Sequence, residues 1–180
     1  EEMDPHVSDT DAVRSSIGQG TNNYAPVQLA RYVTTIANEG NCYDLTLVNE
    51  IKNIDGRTVY KSDNVPKNTV DLTDSQWAVI KQGMRQMVSE HTSPSALINQ
   101  INVNVAGKTG TAEEDTTRPD HALFVSFAPY ENPEVSVTCV IPHGYTSGNA
   151  EELAGMVYAY MYDPDKLDTL DITGNNQMSD

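Results

Sequence analysis

Residues 105–114 read VAGKTGTAEE and hold the side chains in this chain best suited to chemistry. A Gly-Lys-Thr run can end a phosphate-cradling loop whose lysine reaches a nucleotide. It can also form one wall of an acyl-transfer site, with Lys108, Thr109 and Thr111 facing a peptide carboxylate. A phosphate loop needs a further glycine five positions before Gly107, because that glycine permits the turn that aims backbone N–H groups at phosphates. Asn102 stands there, and Val103, Asn104, Val105 and Ala106 read as an alternating strand. After Gly110-Thr111-Ala112 come Glu113, Glu114 and Asp115, which open no helix and repel phosphate. The nucleotide reading is set aside.

What remains is a strand that presents Lys108, Thr109, Gly110 and Thr111 at a cleft. A strand edge can pair with an extended peptide through its own N–H and C=O groups. Lys108 supplies a fixed positive charge, and the threonine hydroxyls can bond a carboxylate. Gly110 has no side chain, so a ligand can lie close to the backbone. A backbone N–H of this strand could complete an oxyanion hole, worth about 10²–10³ in rate in other acyl-transfer enzymes. On spacing alone the run fits a merely polar strand end equally well.

The flanking sequence predicts the elements that position this strand. In APVQLARYVTTIANEG, Pro26 suits a first helical turn. Leu29, Ala30, Val33, Ile36 and Ala37 fall on one helical face, and Gly40 ends it. LTLVNEIKNIDGRTVYKS alternates around Asp55-Gly56, a hairpin signal. Thr73 and Gln76 have capping-box spacing, ahead of an apolar stripe of Trp77, Ile80, Met84, Met87 and Val88 read as core. Three strands follow: VNVAGKTGTAE, ALFVSFAPY and EVSVTCVIPH. In the third, Val135, Val137, Cys139 and Ile141 share one face. The ENPE link suits an antiparallel turn, and EDTTRPD is a longer polar loop. A last helix is expected to start at Asn149, with Glu152 completing a capping box and Leu153, Val157 and Met161 facing inward.

A chain of 180 residues can bury one compact core. No apolar run approaches the ~20 residues of a membrane span. No secretory signal is visible and the first residue is Glu, so the chain is expected to be an excised piece. The net charge of −15 is uneven: −5 in residues 1–11, −4 in residues 163–180 and −6 between. These divisions are read as an acidic lead-in (1–11), a domain segment (12–162) and an acidic tail (163–180). Such a chain is a poor nucleic-acid binder, which would need clustered Lys and Arg. Cys42 and Cys139 lie far apart, and His6, His91, His121 and His143 are scattered, so neither a metal nor a cofactor is expected. Cys139 falls in an apolar strand, where a buried free thiol is expected.

GKTGTAE resembles the third signature motif of penicillin-binding proteins and serine β-lactamases. The likeness extends further. SSIGQG, APVQLARYVTTIANEG, QGMRQMV, VAGKTGTAE and DHALFVSFAPYENPEVSVTCVI resemble, in that order, the C-terminal half of the transpeptidase domain of class B penicillin-binding proteins, over roughly residues 12–162. The resemblance implies an α+β penicillin-recognising fold, an antiparallel sheet flanked by helices. It implies that Lys108 acts electrostatically, that Thr109 and Thr111 bond the terminal carboxylate of a stem peptide or β-lactam, and that the Thr111 N–H is an oxyanion donor. Gln19 and Gly20 would be structural, and His121 a packing or capping residue.

The same family carries its nucleophile in a Ser-x-x-Lys motif, and no serine here has lysine three residues later. Ser147-Gly148-Asn149 is a Ser-x-Asn match, but it follows the lysine motif and sits at a helix start, so it is rejected as catalytic. The implied protein is a peptidoglycan D,D-transpeptidase at the outer face of a bacterial membrane. Its catalytic serine would lie in an N-terminal half outside this chain, which would be the chain's partner and without which it should not acylate. A non-catalytic penicillin-binding sensor is the alternative, and β-lactam hydrolysis would need a deacylating base that this segment does not reveal. SEHTSPSA replaces the family's common Gly-Thr-Ala turn, leaving the entry to the motif strand open.

Overall fold

The computed structural model describes residues 9–16, 18, 24–113 and 117–167. The expected lead-in and tail, with Gln19, Gly20, Glu114, Asp115 and His6, fall wholly or largely outside them. A short helix α1 (Asp9–Ser15) is followed by α2 (Pro26–Ala37), which starts at its proline and buries Val33 and Ile36. Gly40, at φ 93°, turns the chain out of α2, and a Cβ there would lie 2.3 Å from the Val70 carbonyl oxygen. The chain next forms β1 (Asn41–Cys42), then β2 (Glu50–Lys52) and β3 (Thr58–Lys61), the hairpin centred on Asp55-Gly56, and β4 (Asn68–Thr69), which pairs with β1. Every residue of β2 and β3 is exposed, so this hairpin adds nothing to the core.

Helix α3 (Asp74–Gln86) opens with the expected box: Thr73 accepts from the Gln76 N–H while the Gln76 side chain accepts from the Thr73 N–H. Trp77, Met84 and Val88 are buried, but Ile80 is 37% exposed and Met87 is only partly covered. At Met87 the helical period changes: the chain passes from α3 into a π-helical turn, Met87–His91, which re-aims the last residues of the stripe. A 3₁₀ turn, Leu97–Asn99, precedes the sheet.

That sheet is antiparallel, β5 (Ala106–Ala112), β6 (His121–Ala128) and β7 (Val135–Ile141), in the order β5-β6-β7. The expected strand from residue 103 begins three positions later. Instead of pairing with β6, the Val105 carbonyl and the Asn104 side chain accept from Arg85 of α3, and the Asn104 carbonyl accepts from the Tyr130 N–H. Helix α4 (Ser147–Tyr162) and a one-turn α5 (Pro164–Leu167) close the described chain.

Period 2 sends alternate side chains of the sheet into two apolar clusters. Ala122, Phe124 and Cys139, with Val135, Val137 and Ile141 beside them, pack against α4 and the 3₁₀ turn. Ala106 and Phe127 face the opposite way, onto Val33 and Ile36 of α2 and Trp77 and Met84 of α3. The fold is therefore α+β, an antiparallel sheet between helices. Cys42 and Cys139 are both free thiols, Cys139 buried.

Helix α4 departs from the expectation in start and in face. Its N-cap is Thr146, whose hydroxyl accepts from the Gly148 N–H; Asn149 instead donates to the Gly144 carbonyl at 2.7 Å. The buried face is Ala150, Glu151, Ala154, Gly155, Tyr158 and Ala159, while Leu153, Val157 and Met161 are 38–46% exposed. Small residues win this face because the helix lies close to its neighbours. A Cβ on Gly155 would be 3.3 Å from the Ile98 backbone nitrogen. The one large side chain admitted, Tyr158, carries its hydroxyl to Ser126 at 3.0 Å.

Candidate functional site

β5 is paired on one side only among the described strands, so its other edge is open. A cleft of about 600 Å³ straddles that edge. By strand alternation Lys108 and Gly110 point toward the α2/α3 side, and Thr109 and Thr111 toward the α4 side. The cleft meets Lys108 from one side and Thr109 from the other. Its walls are the end of α3 with the π-helical turn, and the first turns of α4.

Lys108 is exposed, and its Nζ donates to the Thr109 carbonyl at 2.9 Å. Thr109 is half-buried, with its hydroxyl 4.0 Å from Met87 Sδ. Lys108 and Thr109 thus meet in one cleft, whereas Gly110 and Thr111, further along β5, are not among the described residues lining it. Gly110 has room: a Cβ there would sit at ordinary contact, 3.4 Å from the Leu123 Cβ. His121 accepts through Nδ1 from the His143 N–H at 3.0 Å, with the two rings 4.8 Å apart.

Several lining residues escaped the sequence reading. Met87, taken as core, lies at the cleft wall, as do His91 and Thr92 of the π-helical turn and its exit. Asn99 holds that exit in place, donating from Nδ2 to the Val88 carbonyl at 2.9 Å and to the Ser93 carbonyl at 3.2 Å. From α4 come Ser147, Gly148 and Glu151. Ser147 and Gly148 reach the cleft even though the Asn149 side chain of the same triplet turns away to cap Gly144.

Glu151 is the one charged side chain among the described residues that is buried, at 8% exposure. Thr92 Oγ1 donates to its Oε1 at 2.5 Å. Burial pushes its carboxyl above the usual range, and the Thr92 hydrogen bond opposes that shift. A sequence signal for it existed. Glu151, Ala154, Gly155 and Tyr158 follow the i, i+3, i+4, i+7 rule, which a search for large aliphatics overlooks.

The geometry brings an open strand edge, a lysine, a threonine hydroxyl and a buried carboxyl around one cleft. Sequence comparison gives the family. Residues 4–161 match the family described as penicillin binding protein transpeptidase domain. Penicillin-binding protein 2B of Streptococcus pneumoniae is 34% identical over 142 residues, 73% of this chain and 21% of that protein. The peptidoglycan D,D-transpeptidase MrdA of Acinetobacter baumannii is 27% identical over 166 residues, 83% of this chain and 24% of that protein. Among solved structures, penicillin-binding protein 2B of S. pneumoniae strain R6 superimposes with a TM-score of 0.76 at 29% identity, covering 89% of this chain and 28% of its own. Penicillin-binding protein A of M. tuberculosis, as its imipenem acyl-enzyme complex, gives 0.70 at 26% identity, covering 82% and 33%. The chain thus spans a fifth to a third of these relatives, and it belongs to the penicillin-binding protein transpeptidase family, as a segment of a class B transpeptidase domain.

Proposed function

We propose that this chain supplies the substrate-binding side of a serine D,D-transpeptidase that cross-links peptidoglycan, and that the nucleophilic serine comes from a part of the parent protein N-terminal to it. The observation that carries this reading is the placing of Lys108 and Thr109 together in the cleft at the open edge of β5.

Each residue has a role in it. Lys108 orients the peptide or β-lactam electrostatically and supports proton transfer. Thr109 and Thr111 bond the terminal carboxylate through their hydroxyls. Gly110, whose packing would admit a Cβ, stays bare so that the ligand can lie against the strand. The Thr109 carbonyl accepts from Lys108 Nζ. In an antiparallel ladder, backbone groups two residues apart point to the same side. This supports reading the Thr111 N–H as an oxyanion donor.

Relatives named peptidoglycan D,D-transpeptidase and neighbours captured as β-lactam acyl-enzymes support an enzyme over a non-catalytic sensor. In acylation the serine oxygen attacks the lactam carbonyl, the ring C–N bond breaks and the whole drug is retained as an ester. The parent works at the extracytoplasmic face of the cell membrane. No helix among the described residues is long and apolar enough to cross a membrane.

The test is intact mass spectrometry of the full-length parent with benzylpenicillin, followed by peptide mapping. A gain of one drug mass on a serine outside residues 1–180 supports the reading. No adduct, or an adduct on this segment, overturns it.

A further inference from the structure

Helix α4 meets the cleft with its first turn, and the residues just before it, 142–146, form a turn with an uncommon backbone. His143 and Tyr145 sit at φ 52° and 66°, the left-handed region that residues other than glycine seldom occupy. Gly144 between them is buried, and a Cβ there would lie 2.8 Å from the Ala122 Cβ. Such a turn persists only where its surroundings fix it. Here the segment that opens β6 does so. The Tyr145 N–H donates to the Asp120 carbonyl at 3.1 Å, and the His143 N–H donates to Nδ1 of His121 at 3.0 Å. The His143 ring, 4.8 Å from that of His121, donates from Nδ1 to the Pro119 carbonyl at 3.1 Å.

These contacts settle where each ring keeps its proton. An N–H must meet a lone pair, so His121 has none at Nδ1 and, when neutral, holds its proton on Nε2. A carbonyl only accepts, so His143 holds a proton on Nδ1. The two rings therefore answer acid differently. A proton added to His143 goes to Nε2 and leaves its bond to Pro119 intact. A proton added to His121 goes to Nδ1, where it confronts the His143 N–H and removes the acceptor.

Given the transpeptidase reading of the cleft, we infer that His121 is a positioning residue: its neutral imidazole holds the turn that delivers Ser147 and Gly148 to the cleft wall, and its protonation releases that turn. His121 is also the ladder partner of Ala112, the residue after Thr111. The same side chain thus joins the end of the lysine-threonine strand to the approach to α4. Among the described residues, the other charged or titratable groups on the segments that meet there are His143 and Tyr145 of the turn, Arg118 and Asp120 ahead of β6, and Glu113 after β5. Asp120 and Tyr145 bond across the junction through backbone atoms, and the His143 bond survives protonation, so the acid sensitivity belongs to His121.

The test is the rate of acylation of the full-length parent by benzylpenicillin, followed by stopped flow from pH 8 to 5, the span in which imidazoles titrate. In His121→Asn, Oδ1 stands where Nδ1 stood and accepts at every pH. This variant should match the wild type at pH 7.5 and outpace it about fivefold at pH 5.5, the worth of one neutral hydrogen bond. His121→Phe, which offers no acceptor, should be slow already at pH 7.5. His143→Asn keeps a donor for Pro119 and suits a left-handed backbone, so it should keep the wild-type pH profile. Hydrogen exchange over residues 142–148, corrected for its intrinsic pH dependence, should quicken on acidification in the wild type and not in His121→Asn. An acid fall of equal size in the wild type and His121→Asn, exchange that stays unchanged, or a profile flattened by His143→Asn overturns the inference, while the benzylpenicillin adduct itself leaves the transpeptidase reading standing. The Asn comparison decides even where the Phe variant fails to fold. No adduct at any pH sinks both.

Discussion

The ring of Phe124 occupies the space where a side chain on Gly107 would go: a Cβ built on Gly107 would lie 2.5 Å from Phe124 Cζ and 2.9 Å from Cε2. Gly107 is thus the point at which the motif strand closes onto the α4-side core. Gly110 faces the other way, at ordinary contact with Leu123. One run of sequence therefore contains two glycines with different reasons to be there, and the two can be separated.

Gly107→Ala must displace a fully buried ring and should cost the parent's transpeptidase domain about 1–3 kcal/mol. Trimming the ring with Phe124→Leu in the same chain should recover part of the loss. Gly110→Ala should stay within about 0.5 kcal/mol in stability yet slow benzylpenicillin acylation. Urea unfolding and stopped-flow acylation read the two effects. Equal destabilisation by both alanines would refute the distinction.

Lys108 is exposed, and its Nζ donates to the Thr109 carbonyl. Lys108→Ala should leave the melting temperature nearly unchanged while lowering the acylation rate of the parent roughly 10²-fold or more. A fall in both together would mean that the lysine holds the strand rather than the ligand.

Arg85 bonds the Val105 carbonyl at 3.2 Å and the Asn104 side chain at 2.9 Å, tying α3 to the entry of β5. Arg85→Ala removes both donors from a partly buried junction, for an expected loss of about 1–3 kcal/mol. Hydrogen exchange should then speed up first at the start of β5. A loss spread evenly over the domain would argue against a local clamp.

The pH dependence tied to Glu151 has a definite sign. Burial raises its folded pKa above the unfolded value. Its protonated form therefore favours folding at low pH, and that contribution fades as pH rises through the folded pKa. At pH 7 the buried charge is a net cost, so Glu151→Gln, which keeps an acceptor for Thr92, should stabilise the domain by on the order of 1 kcal/mol. The gain should shrink toward pH 4. Unfolding curves across that range decide it, and a larger gain at pH 4 than at pH 7 would contradict the assignment.

Local rules carried the sequence reading a long way. Pro26 starts α2, the Thr73–Gln76 box starts α3, and Asp55-Gly56 turns the hairpin. The alternation of Val135, Val137, Cys139 and Ile141 gave the core face of β7. Each of these depends on residues within one or two turns of each other, so the chain itself contains the information. Helix α4 shows where local rules stop. Its large aliphatics Leu153, Val157 and Met161 form a regular stripe, yet the helix buries Ala154, Gly155 and Tyr158.

By itself, then, the sequence determined the order of the main helices, the hairpin and the three sheet strands, and the lysine-threonine strand that marks the family. Only the tertiary structure decided what stands opposite that strand. The approach of α4 to the 3₁₀ turn is set by close packing, which selects the small-residue face over the equally periodic face of large aliphatics, and it brings a buried carboxyl to the cleft from 43 residues beyond Lys108. The π-helical turn, likewise, moves Met87 out of the core stripe and to the cleft wall. Side chains far apart in the chain share a site because packing density, not local propensity, chooses which helical face can come near.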